Sequence, residues 1–167
     1  MTRRGIRTMA VGQSLTLVAL IMPILLGLML AGLEVIGRDR TDRALGGSLS
    51  DTVRSVAQTV DYARFAGDGV MLDEAALRAL AEAAFIDRLR GMPNVGLTTS
   101  PDDIGADVVW TILPEGGTCT LSDGTALSFA GPVICARVTI PTRGLIWAGP
   151  RMVALDAVST LDSSRGE

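Results

Sequence analysis

Residues 12–38 read GQSLTLVALIMPILLGLMLAGLEVIGR, and no charged residue occurs between Arg7 and Glu34. Fifteen of the nineteen residues at 15–33 are apolar. At about 1.5 Å per residue, a helix of this length crosses a hydrocarbon core of roughly 30 Å. The segment is apolar on every side, whereas a helix at the surface of a soluble protein has a single apolar stripe. The pattern therefore predicts a transmembrane helix at residues 13–37.

A short basic leader, residues 1–12, precedes this segment. Arginines flank the predicted span equally on its two sides: Arg3, Arg4 and Arg7 before it, and Arg38, Arg40 and Arg43 after it. Because the positive-inside rule counts basic residues in the flanks, these counts leave the orientation open. A long C-terminal domain crosses a membrane largely regardless of such counts. We expect a single-pass protein of the bacterial cytoplasmic membrane, with its N-terminus in the cytoplasm and residues 38–167 outside.

Composition narrows the chemistry available to this domain. The chain has no histidine, which excludes Ser-His-Asp and Cys-His catalytic sites and histidine-ligated metals. No basic block follows the leader, so a nucleic-acid partner is not expected. The remaining catalytic candidates are carboxylates, and each has a structural interpretation as a turn former or a solvated charge. They are Asp102 and Asp103, side by side in a predicted loop, and Glu115, Asp123 and Asp156. We expect neither an enzyme nor a cofactor.

The two cysteines, Cys119 and Cys135, are too few for a zinc site. A disulfide between them would close 15 intervening residues and would contribute about 3 kcal/mol in the chain-entropy model. Such a bond persists outside the reducing cytosol. The alternative is a pair of unpaired thiols in the core.

Apolar residues recur at helical spacing in two segments after the span. The first helix is predicted at about 45–66, with its stripe at Leu45, Leu49, Val53, Val56 and Val60, and Gly46-Gly47 predicts a hinge near its start. The second is predicted at 73–90, where Asp73 is a good N-cap and Gly91 and Pro93 end the helix. Its predicted buried residues are Leu77, Leu80, Ala81, Ala84 and Phe85.

The period changes to two after Pro93, which predicts a β-rich region at 94–160. A strand is predicted at 107–113, and Asp123-Gly124 predicts a hairpin between 118–121 and 125–129. A longer strand follows at 133–140, with a turn at Pro141 and Gly144 and shorter runs at 145–148 and 152–158. The fold class is α+β: a transmembrane helix, a helical stalk and a small antiparallel sheet covered by helices.

The N-terminal segment resembles the signature of the TadE/TadG-like pseudopilins, components of tight-adherence (Flp-type) pilus machinery. Gly12-Gln13-Ser14-Leu15 is similar to the opening of that signature, and Pro23 stands where the family has a proline. The segment 32–38, GLEVIGR, resembles the closing motif in a slightly lengthened form. The resemblance covers about 27 of 167 residues.

This resemblance implies a pilin-like, non-enzymatic subunit that packs its apolar helix against other pilins and pseudopilins in the lipid bilayer. It also implies secretion-platform proteins as partners, and a prepilin peptidase that would cleave between Gly12 and Gln13. Gly27 and Ala31 have small-xxx-small spacing and form a candidate helix-packing face, although small residues are also simply common in spans. Leu17 stands where the family usually has glutamate. The alternative function is a single-pass, membrane-anchored extracytoplasmic binding or sensor domain.

Overall fold

The described part of the chain contains three helices and five strands. In this computed structural model it comprises residues 5–65, 74–92, 96–144, 146 and 149–160, with side chains described for 17–59 of the first range. The elements are α1 (Gly5–Phe65), α2 (Glu74–Arg90), α3 (Pro101–Ala106), β1 (Val109–Leu113), β2 (Gly117–Thr120), β3 (Ala126–Phe129), β4 (Val133–Arg143) and β5 (Pro150–Thr160). One long apolar N-terminal helix and a small antiparallel sheet confirm the predicted α+β class.

Helix α1 is one uninterrupted helix of 61 residues, about 90 Å long at about 1.5 Å per residue. It includes the predicted span and stalk, and it begins within the predicted leader. The predicted hinge at Gly46-Gly47 is wrong, because the helix continues through both glycines. Leu45 and Leu49, on either side of the pair, are fully buried. Burial of a leucine contributes about 1.5–3 kcal/mol, which exceeds the roughly 1 kcal/mol that each glycine costs a helix.

Helix α2 lies within the predicted range 73–90. Its buried residues are Leu77, Ala81, Phe85 and Leu89, which are separated by steps of four. The prediction that Leu80 is buried is wrong, since this side chain is 45% exposed. Residues at i and i+4 lie on the same face of a helix, and Leu80 is off this line. The predicted N-cap Asp73 and the helix-ending Pro93 lie outside the described residues.

Asp102 and Asp103 lie on a short helix, α3, so the prediction of a loop there is wrong. Ser100 caps this helix, since its Oγ accepts the Asp103 N–H at 3.1 Å, and Pro101 follows in the first turn. Proline suits the first helical position because its missing N–H would have no partner there. Gly105 allows α3 to approach α2, because a Cβ at this position would lie 2.4 Å from Cγ1 of Ile86.

The main sheet has three antiparallel strands in the order β1-β4-β5. In its register Trp110 faces Ala136 and Ala136 faces Ala157. The turn predicted at Pro141 is wrong, because β4 continues to Arg143. The carbonyl of Pro141 accepts the N–H of Thr98, so this residue's hydrogen-bonding side faces away from β5. The missing proline N–H therefore removes no bond from the β4–β5 ladder.

The strands β2 and β3 form the predicted hairpin around Asp123-Gly124, as a separate two-stranded sheet. Leu121 donates its N–H to the Thr125 carbonyl at 2.9 Å, which closes the turn. The run predicted at 152–158 belongs to β5, and most of the run predicted at 145–148 lies outside the described residues.

One hydrophobic core joins α1, α2 and one face of the main sheet. Phe85 is fully buried in it beside the α1 stripe that begins at Leu45. The sheet contributes alternate residues of β4, as predicted: Ile134, Ala136, Val138 and Ile140. A smaller cluster on the opposite face contains Cys119, Val133 and Cys135 and lies under the hairpin. The domain therefore has three layers: helices, sheet and hairpin.

Candidate functional site at the junction of helix and head

The surface of α1 changes along its length. From Leu17 to Ile36, fourteen large apolar side chains are between 39% and 68% exposed. From Leu45 onward, the apolar side chains of one face are buried against the sheet and α2. Soluble monomers rarely expose contiguous apolar surface on this scale. Among the described residues, α1 is the one helix that is long and apolar enough to cross a membrane.

We call the domain that packs on the second half of α1 the head. Five residues connect the exposed apolar half of α1 to this head. We define the junction as Glu34, Arg38 and Asp42 on α1, together with Ile146 and Arg151. Ile146 lies in the connection between β4 and β5, and Arg151 lies at the start of β5. The junction therefore joins the end of the apolar segment to one edge of the sheet.

Glu34 is the first charged residue after the apolar segment, yet it is only 1% exposed. Its Oε1 accepts a hydrogen bond from Nε of Arg38 at 2.7 Å, and its Oε2 accepts the backbone N–H of Ile146 at 2.8 Å. A buried carboxylate is costly unless it is paired and hydrogen-bonded. These two contacts supply the pairing, one from the next turn of α1 and one from the head.

A second ion pair lies two turns further along α1. Arg151 donates from its two terminal nitrogens to the two carboxylate oxygens of Asp42, at 3.2 and 2.6 Å. Such bidentate pairs fix the geometry of both partners more tightly than a single contact does. Both side chains are about one third exposed, so the pair contributes more to orientation than to stability.

The sequence-predicted cysteine pair is confirmed as a disulfide. Cys119 on β2 is bonded to Cys135 on β4, with their Cα atoms 6.3 Å apart. The bond joins the hairpin to the main sheet and lies in the smaller hydrophobic cluster. Both cysteines are 7% exposed or less. The bond therefore holds the outermost layer of the head to the middle one.

The acidic candidates are dispersed, and most have structural roles. Asp102 forms an ion pair with Arg90 at 2.5 Å, and this hydrogen bond lowers the pKa of the Asp102 carboxyl. Asp123 accepts the N–H of Thr125 at 2.8 Å, and this bond lowers the pKa of Asp123. Both shifts favour ionised, solvated carboxylates, whereas a general acid needs a raised pKa.

The remaining acids fit the same description. Asp103 accepts a hydrogen bond from the Ser100 hydroxyl at 2.6 Å, within the cap of α3. Asp156 on β5 accepts the N–H of Ser122 at 2.8 Å and also the Ser122 hydroxyl, which ties the hairpin turn to the sheet. Glu115 is exposed in the turn after β1. No group of three acidic or cysteine residues with metal-binding geometry occurs within the described ranges.

The residues implied by the family resemblance all lie on α1. Gly12 and Gln13 are in its backbone, before the range with described side chains. Leu17 is 59% exposed. Nothing in the described structure lies within 4 Å of a Cβ built on Gly27, and Ala31 is half-buried one turn later. The cleavage and helix-packing assignments remain predictions.

The sequence pattern places Glu34 in the segment GLEVIGR but does not predict the junction. A charge immediately after a long apolar run was the available signal, since such a group needs a partner. Arg38 at i+4 could have been found from helix spacing. The contact with Ile146 could not, because it joins residues 112 positions apart.

No protein-family model, curated protein or solved structure matches the chain.

Proposed function

We propose that this chain is a membrane-anchored minor pseudopilin, or pilus assembly protein, of the TadE/TadG-like type. Its apolar helix packs in the bilayer with other pilins, and its head lies outside the cytoplasm. The main observation that supports the proposal is the change along α1: its first half is apolar and exposed, whereas one face of its second half is covered by an antiparallel sheet. A single continuous helix then serves as both membrane anchor and core element.

The buried disulfide supports the extracytoplasmic location of the head. Structural disulfides form and persist in oxidising compartments and are rare in the cytosol. The Cys119–Cys135 bond connects two layers of the head, so the oxidised state belongs to its folded form.

Leu17 supports a minor position over a repeated one. In the family, the glutamate usually found here gives an intramembrane charge that a neighbour's N-terminal amine pairs with. A charge at that depth is costly alone and tolerable in a pair. Leucine removes both the cost and the pairing. We infer that the chain occupies an end position or acts as an assembly factor, and does not repeat along a shaft.

N-terminal sequencing of membrane-extracted protein tests the family assignment. With an active cognate prepilin peptidase, the expected new N-terminus is Gln13, and without the peptidase the leader remains. If the chain kept its leader in the presence of the active peptidase, the predicted cleavage would be wrong. Abundant copies along sheared filaments would reject the end position.

The second candidate function is an anchored binding or sensor domain with the same topology. The residue that favours it is also Leu17, because a plain membrane anchor needs no charge at that depth. The two functions differ in their partners. A pseudopilin co-purifies with sheared pili or secretion-platform proteins, and a plain anchored domain does not.

A further inference from the structure

The apolar surface of α1 continues past Glu34. Val35 is 65% exposed and Ile36 is 52% exposed, and the first strongly exposed charge after them is Asp39. The boundary between apolar and polar surface on α1 therefore falls between Ile36 and Asp39. At about 1.5 Å per residue, Glu34 lies on the apolar side of this boundary by roughly 3 Å or more.

The head approaches α1 at this level. Because Glu34 accepts the backbone N–H of Ile146 at 2.8 Å, Ile146 lies beside a residue on the apolar side of this boundary. The Ile146 side chain is 40% exposed. In sequence, residues 144–149 are GLIWAG, without a charge. Apolar and aromatic residues of this kind are suited to a membrane interface.

The charges at the junction fit the same depth. A carboxylate near the hydrocarbon boundary must be paired, and Arg38 is one turn nearer the polar side. Its side chain is 37% exposed, so the long apolar stem can lie against α1 while the guanidinium bridges Glu34 and water. Arginine commonly behaves in this way at membrane boundaries.

We propose that the head rests in the lipid interface through Ile146, which inserts beside the end of the membrane-spanning helix. The partner is the bilayer surface on the side of the head. This inference rests on the proposed membrane span, and it adds that the height and tilt of the head relative to the bilayer are fixed. The Glu34 contact holds Ile146 at this level, and the Asp42–Arg151 pair holds the adjacent start of β5.

Fluorescence quenching of full-length protein in lipid nanodiscs tests the proposal. In Ile146→Cys the backbone N–H that Glu34 accepts is retained, and the oxidised native cysteines do not react, so a polarity-sensitive dye labels one position. Thr125→Cys, in the exposed hairpin turn, is the matched control. The expected result is blue-shifted emission at 146, several-fold weaker quenching by aqueous iodide than at 125, and stronger quenching by shallow than by deep lipid nitroxides.

Equal iodide quenching at 146 and 125 would overturn the proposal. Protection from iodide without quenching by lipid nitroxides would also overturn it, since a neighbouring copy would then cover Ile146. A third label, at Leu26→Cys, separates these failures from failure of the span. Quenching of this label by deep nitroxides would support the proposed membrane anchor, whatever the result at 146. Absence of that quenching would contradict both the proposed membrane anchor and the proposed contact of Ile146 with lipid.

Discussion

Replacement of Glu34 by glutamine should loosen the head from α1 at one defined point. Glutamine has the same shape, and its side-chain carbonyl can still accept the N–H of Ile146. The negative charge is lost, however, and the new amide group faces the Arg38 guanidinium, where a donor meets a donor. The fold should persist, because the hydrophobic core begins further along α1, at Leu45.

The expected magnitude follows from the contacts of Glu34 with Arg38 and Ile146. A hydrogen bond to a charged group contributes about 1.5–3 kcal/mol and a neutral one about 0.5–1.5 kcal/mol, so the Ile146 contact should lose about 1 kcal/mol. The Arg38 side chain is 37% exposed, so its loss is discounted to at most about 1 kcal/mol. When the cost of leaving buried polar groups unpaired is added, the total is about 1–3 kcal/mol, or roughly 5- to 150-fold in a local opening equilibrium.

Amide hydrogen exchange of the full-length protein in nanodiscs measures this opening. In Glu34→Gln, the Ile146 amide should exchange roughly 5- to 150-fold faster than in the native chain. The matched control is Asp39→Asn. It removes an i,i+4 ion pair from the same helix, with Arg43 at 2.8 Å, but its side chains are 79% and 52% exposed. Exposed pairs of this kind contribute about 0.5 kcal/mol or less, so exchange at 146 should change by no more than about twofold.

Two results would refute the reasoning about Glu34. The first is native exchange at Ile146 in Glu34→Gln, which would mean that the carboxylate does not hold the head. The second is an equal acceleration in Asp39→Asn, which would mean that any lost charge on α1 has the same effect.

Three further predictions concern the head. Gly47→Ala should raise the free energy of unfolding by about 0.5–1 kcal/mol, because it replaces a helix-interior glycine at which an added Cβ has no atom within 4 Å. Gly105→Ala should lower the free energy of unfolding, because its Cβ would meet Ile86. Cys119→Ser with Cys135→Ser should lower it by about 2–4 kcal/mol without affecting membrane insertion. Arg90→Gln should raise the pKa of Asp102 towards its ordinary value, because the hydrogen bond from Arg90 lowers it. In the native chain the pair stabilises the protein above the unfolded pKa of about 3.9, and this stabilisation is lost as pH falls through the lowered folded pKa.

Denaturant unfolding in detergent measures the first two predictions, and NMR titration of the Asp102 carboxyl measures the third. Loss of stability in Gly47→Ala would contradict the uninterrupted packing of α1 at that point. An unchanged midpoint in the double serine variant would contradict the role of the disulfide as a link between layers. Arg88→Gln is the control for Asp102, because Arg88 pairs with Asp51 instead. Equal shifts in the two arginine variants would contradict the Arg90 pairing.

The elements that local pattern determines were predictable from the sequence. The buried stripe at Leu45, Leu49, Val53 and Val56 and the alternation along 134–140 each follow from a fixed period, and both are confirmed. The hairpin follows from Asp123-Gly124, whose glycine has φ 84°. In these cases the residues that define the pattern are close together in the chain.

The errors arose where tertiary contacts outweighed local preference. Gly46-Gly47 weakens an isolated helix, but burial of the leucines beside it keeps α1 continuous through the pair. Pro141 usually ends a strand, but its hydrogen-bonding side faces away from β5, so it fits. The junction was not predictable because Glu34 and Ile146 meet only when the whole sheet is in place. The cap of α3 was readable, since serine, proline and two acids mark a helix start.

Alkaline phosphatase fused after Glu167 tests whether the head lies outside the cytoplasm, since this enzyme becomes active only there. We expect the fusion to be active in a bacterial host and the chain to remain in the membrane after alkaline carbonate extraction. A green fluorescent protein fused at the same point should be dark if exported through the general secretory route. An inactive phosphatase beside a fluorescent partner, or release of the chain by carbonate, would contradict the account.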